Sequence, residues 1–110
     1  MSFDIKVTHE PGLARVRIEG SAGIGRLLSL LKVLELDCRS WQAASVLLDL
    51  RDLQPALSDD EQLQAAEGAV LAFASRRKVA LLATPGAARE AGGVRVFDDE
   101  GTARDWLLRP

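Results

Sequence analysis

One cysteine, Cys38, and one histidine, His9, stand among 110 residues, so the chain has no internal disulfide and no multi-cysteine metal site. Neither residue has the neighbours a metal ligand needs. Cys38 reads as a packing residue on a helix face and His9 as a surface polar group. A basic excess is also missing: 14 Lys and Arg face 16 Asp and Glu, for a formal charge of -2. A nucleic-acid surface is therefore not expected. No apolar run approaches the ~20 residues that cross a bilayer, so no membrane span is expected. Residues 1–6 have neither the basic flank nor the apolar stretch of a signal peptide, and a cytoplasmic location is the expectation. Repeats, low-complexity tracts and linkers are absent as well. What is left is an ordinary globular composition, 47% hydrophobic and 27% charged. A chain of this length buries roughly 60–70% of its unfolded surface, which suffices for one domain over residues 1–110 without metal or cofactor.

The most informative stretch is Ser45 to Asp52, an apolar run too short for a helix that ends in two carboxylates and a guanidinium. It reads as a strand buried on both faces with charge at its carboxyl end. Upstream, Phe3, Ile5 and Val7 alternate with polar residues, as do Ala14, Val16 and Ile18. The Glu10-Pro11-Gly12 turn between them predicts an antiparallel hairpin, because a parallel return needs a long crossover. From Gly23 to about Cys38, the residues Ile24, Leu27, Leu28, Leu31, Leu34 and Cys38 fall on one helix face. Leu30 lies at the margin of that stripe, Val33 opposite it and Leu36 well off it. These three are open to two readings, partial cover by neighbouring loops or a surface for self-association or an apolar ligand.

Ser58 followed by Glu61 is a capping-box signature and predicts a helix with Leu63, Ala66, Val70, Phe73 and Ala74 on its core face. That helix is expected to end near Ser75 to Arg77, with Arg76, Arg77 and Lys78 complementing its negative end. Val79 to Ala83 reads as a second buried strand closed by Thr84-Pro85-Gly86. A short helix over 86–91, a strand over Val94 to Phe97, and a helix from about Glu100 to Leu108 with Ala103, Trp106 and Leu107 on one side follow. The expected fold is α/β in the order β-β-α-β-α-β-α-β-α. It comprises a single mixed sheet with an N-terminal antiparallel hairpin, parallel central strands and flanking helices.

Candidate chemistry is sparse. The glycines at 20, 23 and 25 sit between a strand and a helix, yet Arg26 and Leu27 occupy the lysine and hydroxyl positions of a phosphate loop. The segment reads as a turn and helix start. Asp49, Arg51 and Asp52 form the best polar constellation: Asp49 and Arg51 project to one side of a strand, suited to an ion pair, and Asp52 is expected to begin the following loop. An adjacent arginine holds both carboxylates ionised, which argues against paired-acid catalysis. Ser58 has no base near it in sequence, and its cap role suffices. No catalytic residue is assigned. Ligands meet open α/β sheets beyond the carboxyl ends of central strands, so Asp49, Arg51, Asp52, Ser58 and Asp59 are the candidate partner-binding residues.

The runs Val-Leu-Leu-Asp-Leu-Arg at 46–51, Lys-Val-Ala-Leu-Leu at 78–82 and Val-Arg-Val-Phe-Asp-Asp-Glu-Gly-Thr-Ala-Arg-Asp-Trp-Leu at 94–107 resemble the SpoIIAA-like family of small bacterial proteins. That family belongs to the STAS (sulfate transporter and anti-sigma-factor antagonist) superfamily, and the resemblance runs over residues 3–108. It implies a mixed sheet flanked by helices and a non-catalytic role in binding regulatory partners, nucleotides or apolar ligands. Anti-sigma-factor antagonists resemble one another in an Asp-Ser-Ser-Gly-type segment after the third strand, where a kinase modifies a serine. The corresponding segment here is Ala56-Leu57-Ser58-Asp59-Asp60, in which the acid follows Ser58 and no glycine comes after. The resulting expectation is a regulatory module contacting a protein partner through the loop after the third strand, with Ser58 as the phosphorylation candidate. The alternative is a small apolar-ligand carrier using Leu30, Val33 and Leu36 of the first helix, a surface that equally suits a homodimer.

Overall fold

The computed structural model describes residues 3–21, 23–41, 44–54, 57–73, 78–83, 90–91 and 94–109. Strands β1 (Phe3–Glu10) and β2 (Leu13–Ser21) form the expected hairpin, turning at Gly12, whose φ of +75° suits a residue without a Cβ. Helix α1 (Ile24–Asp37) and a single 3-10 turn (Cys38–Ser40) lead to β3 (Ser45–Gln54). Then come α2 (Asp59–Ala72), β4 (Lys78–Leu82), β5 (Glu90–Ala91), β6 (Val94–Phe97) and α3 (Glu100–Leu108). The six strands lie in the order β1-β2-β3-β4-β6-β5. Pairing is antiparallel at both edges, β1 with β2 and β5 with β6, and parallel at every junction between.

As expected, β3 and β4 are central and buried: Val46, Leu47, Leu48, Ala80, Leu81 and Leu82 have no exposed surface. Alternation along the strands divides the core. Val16, Ile18, Val46, Leu48, Val79 and Leu81 pack under α1 and α2, whereas Leu13, Leu47, Ala80 and Leu82 pack under Ala103 and Leu107 of α3. Among the described residues α3 alone covers that second face, and charged side chains of β2 and β3 occupy the rest of it.

Four expectations require correction. The α2 core face carries Gln62, Ala65, Ala66, Ala69 and Ala72 with Phe73, while Leu63 and Val70 are only half-buried. Small side chains let the helix approach the sheet, and the Gln62 amide is satisfied by donating to the Leu57 carbonyl at 3.3 Å. Ala74, the expected helix end at 75–77 and the Cys38 side chain lie outside the described residues. Lys78 does not terminate α2. It opens β4, and its Nζ donates to the carbonyls of Trp106 (2.8 Å) and Arg109 (2.9 Å), so it caps the negative end of α3. In place of the end of a short helix, Glu90 and Ala91 pair with Arg95 and Val94, extending the sheet at an edge that would otherwise expose unpaired backbone; residues 84–89 lie outside the described residues. Finally, β3 runs on to Gln54, so Asp52 belongs to the strand and does not begin the following loop.

Candidate functional site

Strand β3 contains a bulge: Arg17 of β2 is level with Asp49, but Glu19 is level with Asp52. One residue of β2, Ile18, thus stands opposite two of β3, Leu50 and Arg51, which reverses the alternation. Leu50 and Leu53 both face the α1–α2 core, leaving Asp49, Arg51 and Asp52 together on the opposite face. The sequence places Asp49 and Arg51 on one side, and the bulge adds Asp52.

Asp49 is 1% exposed and fully engaged. Its Oδ1 accepts from the Arg51 backbone N–H (3.1 Å) and Nε (3.0 Å), and its Oδ2 accepts from Nη2 of both Arg51 (3.0 Å) and Arg15 (2.9 Å). Burial pushes the Asp49 carboxyl up, but the Arg51 hydrogen bonds, together with the charges of Arg51 and Arg15, outweigh it and hold the group below its ordinary value. Glu100, in the first turn of α3, accepts from Arg15 (3.0 and 3.2 Å), Arg51 (2.9 Å) and Arg104 (2.8 Å). Bonding to Arg15 most strongly, opposed by burial and aided by Arg104, lowers its pKa from 4.5 to about 2. Arg104 continues to Glu10 of β1 through a bidentate pair at 2.8 and 2.9 Å. Three carboxylates and three guanidinium groups therefore form one neutral chain that fastens β1, β2, β3 and α3 together.

Beyond this chain the surface is open. Asp52 accepts from Arg17 Nε at 3.0 Å and also from its Nη2, with the two side chains 48% and 36% exposed. They line an open polar cleft of about 570 Å³ with Asp4, Glu19, Arg51 and Gln54, at the carboxyl ends of β2 and β3. Ser58 and Asp59 are exposed at the start of α2. The capping box is present as predicted: Ser58 Oγ accepts from the Glu61 N–H (3.2 Å), and a Glu61 carboxylate oxygen accepts from the Ser58 N–H (3.0 Å).

The candidate residues thus divide. Asp49 is interior, Arg51 serves both the network and the cleft wall, and Asp52, Ser58 and Asp59 face solvent. Sequence reasoning missed Arg15, Arg17, Glu100, Arg104 and Glu10. The available signal was the arginine alternation in β2, which places two cations two residues apart on one side of a strand whose apolar residues are buried. On α1, Leu30 is half-buried and packs against the core, so it leaves the apolar-surface set, whereas Val33 and Leu36 are 56% and 63% exposed. Among the described residues no helix is long and apolar enough to cross a membrane, and no cluster of metal-binding side chains occurs.

No protein-family model and no curated protein matches the sequence. Solved structures do match the fold. An anti-sigma factor antagonist from Mycobacterium paratuberculosis superposes with a TM-score of 0.65 at 10% identity, covering 98% of this chain and 96% of that one. An uncharacterised protein with a SpoIIAA-like fold from Shewanella loihica PV-4 superposes with a TM-score of 0.51 at 14% identity, covering 96% and 94%. A mixed sheet with an antiparallel β1–β2 hairpin, parallel central strands and helices on both faces, matched nearly end to end by these structures, gives this chain a SpoIIAA-like fold.

Proposed function

We propose that the protein is a non-enzymatic regulatory module that binds a protein partner through the surface running from the carboxyl end of β3 to the first turn of α2. One observation carries this reading. The buried carboxylate is consumed by arginines of its own chain, while Asp52, Ser58 and Asp59 stay accessible beside a cleft at the carboxyl ends of parallel strands. The likeness in fold to an anti-sigma factor antagonist supports the same class of role. Acid–base catalysis has little to work with here, because arginine contacts hold Asp49 and Glu100 in the ionised form. A cytoplasmic location and the absence of a cofactor go with this reading.

A phosphoryl group on Ser58 would meet the positive end of α2 but also stand beside Asp59, Asp60 and Glu61. It would therefore weaken the capping box and add to an already acidic contact surface, acting as a release signal. Partner binding itself requires no modification in this scheme.

The test is a photo-crosslinking side chain placed at position 59 and, as a control, at position 105 on the exposed side of α3. The expected result is a protein adduct from position 59 only, lost when Asp52→Lys is added. Equal adducts from both positions, or an adduct indifferent to Asp52→Lys, would refute the assignment of this surface.

A further inference from the structure

Helices α1 and α2 both cross between parallel strands, so they run side by side in the same direction over one face of the sheet. Between them lies an apolar furrow of about 350 Å³, with Leu28 and Leu31 on one wall and Leu71 on the other. Gly68 fixes the register. A Cβ there would stand 2.9 Å from Leu28 Cδ2 and 3.1 Å from Leu31 Cδ1, so Gly68 lies level with that turn of α1. Lys32 and Glu67 consequently sit at the same height on opposite rims. Both are exposed, and neither has an ion-pair partner in its own chain among the described residues. One turn further on, Leu36 and Leu71 are 63% and 74% exposed, an unusual pair of solvated leucines on adjacent helices.

This rim is complementary to itself. A two-fold axis running along the furrow, in the plane of contact, lays α1 of each copy over α2 of the other without changing height along the helices. Lys32 of each copy then meets Glu67 of the other, and Leu36 of each meets Leu71 of the other. We propose that the α1–α2 furrow seats a second copy of this chain in that arrangement, a symmetric dimer closed by two Lys32–Glu67 pairs.

Scale supports an exchanging dimer. Two 14-residue helices are each roughly 21 Å long, and at an interaxial distance of about 8–10 Å they present roughly 400 Å² per copy, about 800 Å² in total, below the area of stable complexes and in the range of weak, transient ones. A formal charge of -2 offers little repulsion between copies. The furrow lies on the opposite face of the sheet from the Asp49–Glu100 network, and its α2 wall begins at Gln64, beyond the first turn that carries Ser58 and Asp59, so this inference stands apart from the partner surface proposed above.

Sedimentation equilibrium of the full chain at about 20–500 μM, a range suited to weak association, provides the test. The mass is expected to rise from 11.9 kDa toward twice that value. Lys32→Glu and Glu67→Lys should each weaken association about tenfold by facing like charges, and the double exchange should restore it to within about threefold. Leu36→Asp should leave a monomer with an unchanged circular dichroism spectrum, and Asp52→Lys should leave the association unchanged. A wild-type monomer throughout the range, a dimer indifferent to the single charge reversals, or failure of the double exchange to restore it would each overturn the proposal. So would native mass spectra showing one copy holding an apolar small molecule in place of a second copy.

Discussion

Replacing Asp49 by Asn keeps the side-chain size and removes one charge from the centre of the network. The carboxylate accepts four hydrogen bonds from Arg15 and Arg51 and is almost fully buried. Removing one partner of a buried pair costs ~3–5 kcal/mol. Here Arg15 and Arg51 remain 20% and 32% exposed and keep Glu100 as a partner, which lowers the expected loss. We expect about 2–3 kcal/mol, which for a chain of this length corresponds to a fall in Tm of roughly 9–13 °C. Thermal and urea unfolding followed by far-ultraviolet circular dichroism at pH 7 measures it. Acid gives a second arm. The folded-state pKa of Asp49 lies below its ordinary 3.8, so its contribution is complete above that pH and is lost as pH falls through the folded-state value. The gap between wild type and Asp49→Asn should therefore close in strong acid. A loss of less than about 1 kcal/mol at pH 7, or a gap that persists unchanged in acid, would refute the reasoning that this carboxylate organises the face.

Three further outcomes follow from individual contacts. Glu100, lowered from 4.5 to about 2, stabilises fully above pH 4.5 and progressively less between 4.5 and 2. The urea midpoints of wild type and Glu100→Gln should accordingly be separated at pH 6 and converge near pH 2, and parallel curves would contradict the assignment. Ser58→Ala removes the α2 cap and should cost about 1 kcal/mol. Adding Glu61→Ala should cost less than the sum of the single changes, because the two side chains form one reciprocal device. Lys78→Met should speed hydrogen exchange at the last turn of α3 while sparing its first turn, since the Lys78 ammonium holds the Trp106 and Arg109 carbonyls; uniform acceleration would point to a global effect.

Much of the fold was legible because local patterns and tertiary burial agree. Alternation in Phe3 to Val7 and Ala14 to Ile18 sets the hairpin, and the unbroken apolar runs at 46–48 and 79–83 become strands covered on both faces. The capping box at Ser58 also reads directly, since all its atoms lie within four consecutive residues. Where several helix faces were plausible, the rule that large apolar residues go inward failed: α2 buries its alanines and Gln62, because its distance from the sheet suits small side chains. The ionic network was legible only at Asp49 and Arg51, two residues apart. Apart from the Glu100–Arg104 pair one turn apart on α3, its remaining links join residues 34, 49, 85 and 94 positions apart, and their meeting depends on the β2–β3 register and on where α3 docks. The bulge that turns Asp52 outward leaves no mark in the sequence beyond the spacing of Leu50 and Leu53.

The partner-binding account is tested most directly by backbone amide spectra of the labelled protein, recorded as the protein captured at position 59 is added. The expected footprint covers the ends of β2 and β3 and the first turn of α2, including Asp52, Gln54, Ser58 and Asp59, with the outer face of α3 unmoved. A footprint on α3, or one confined to the α1–α2 furrow, would contradict it.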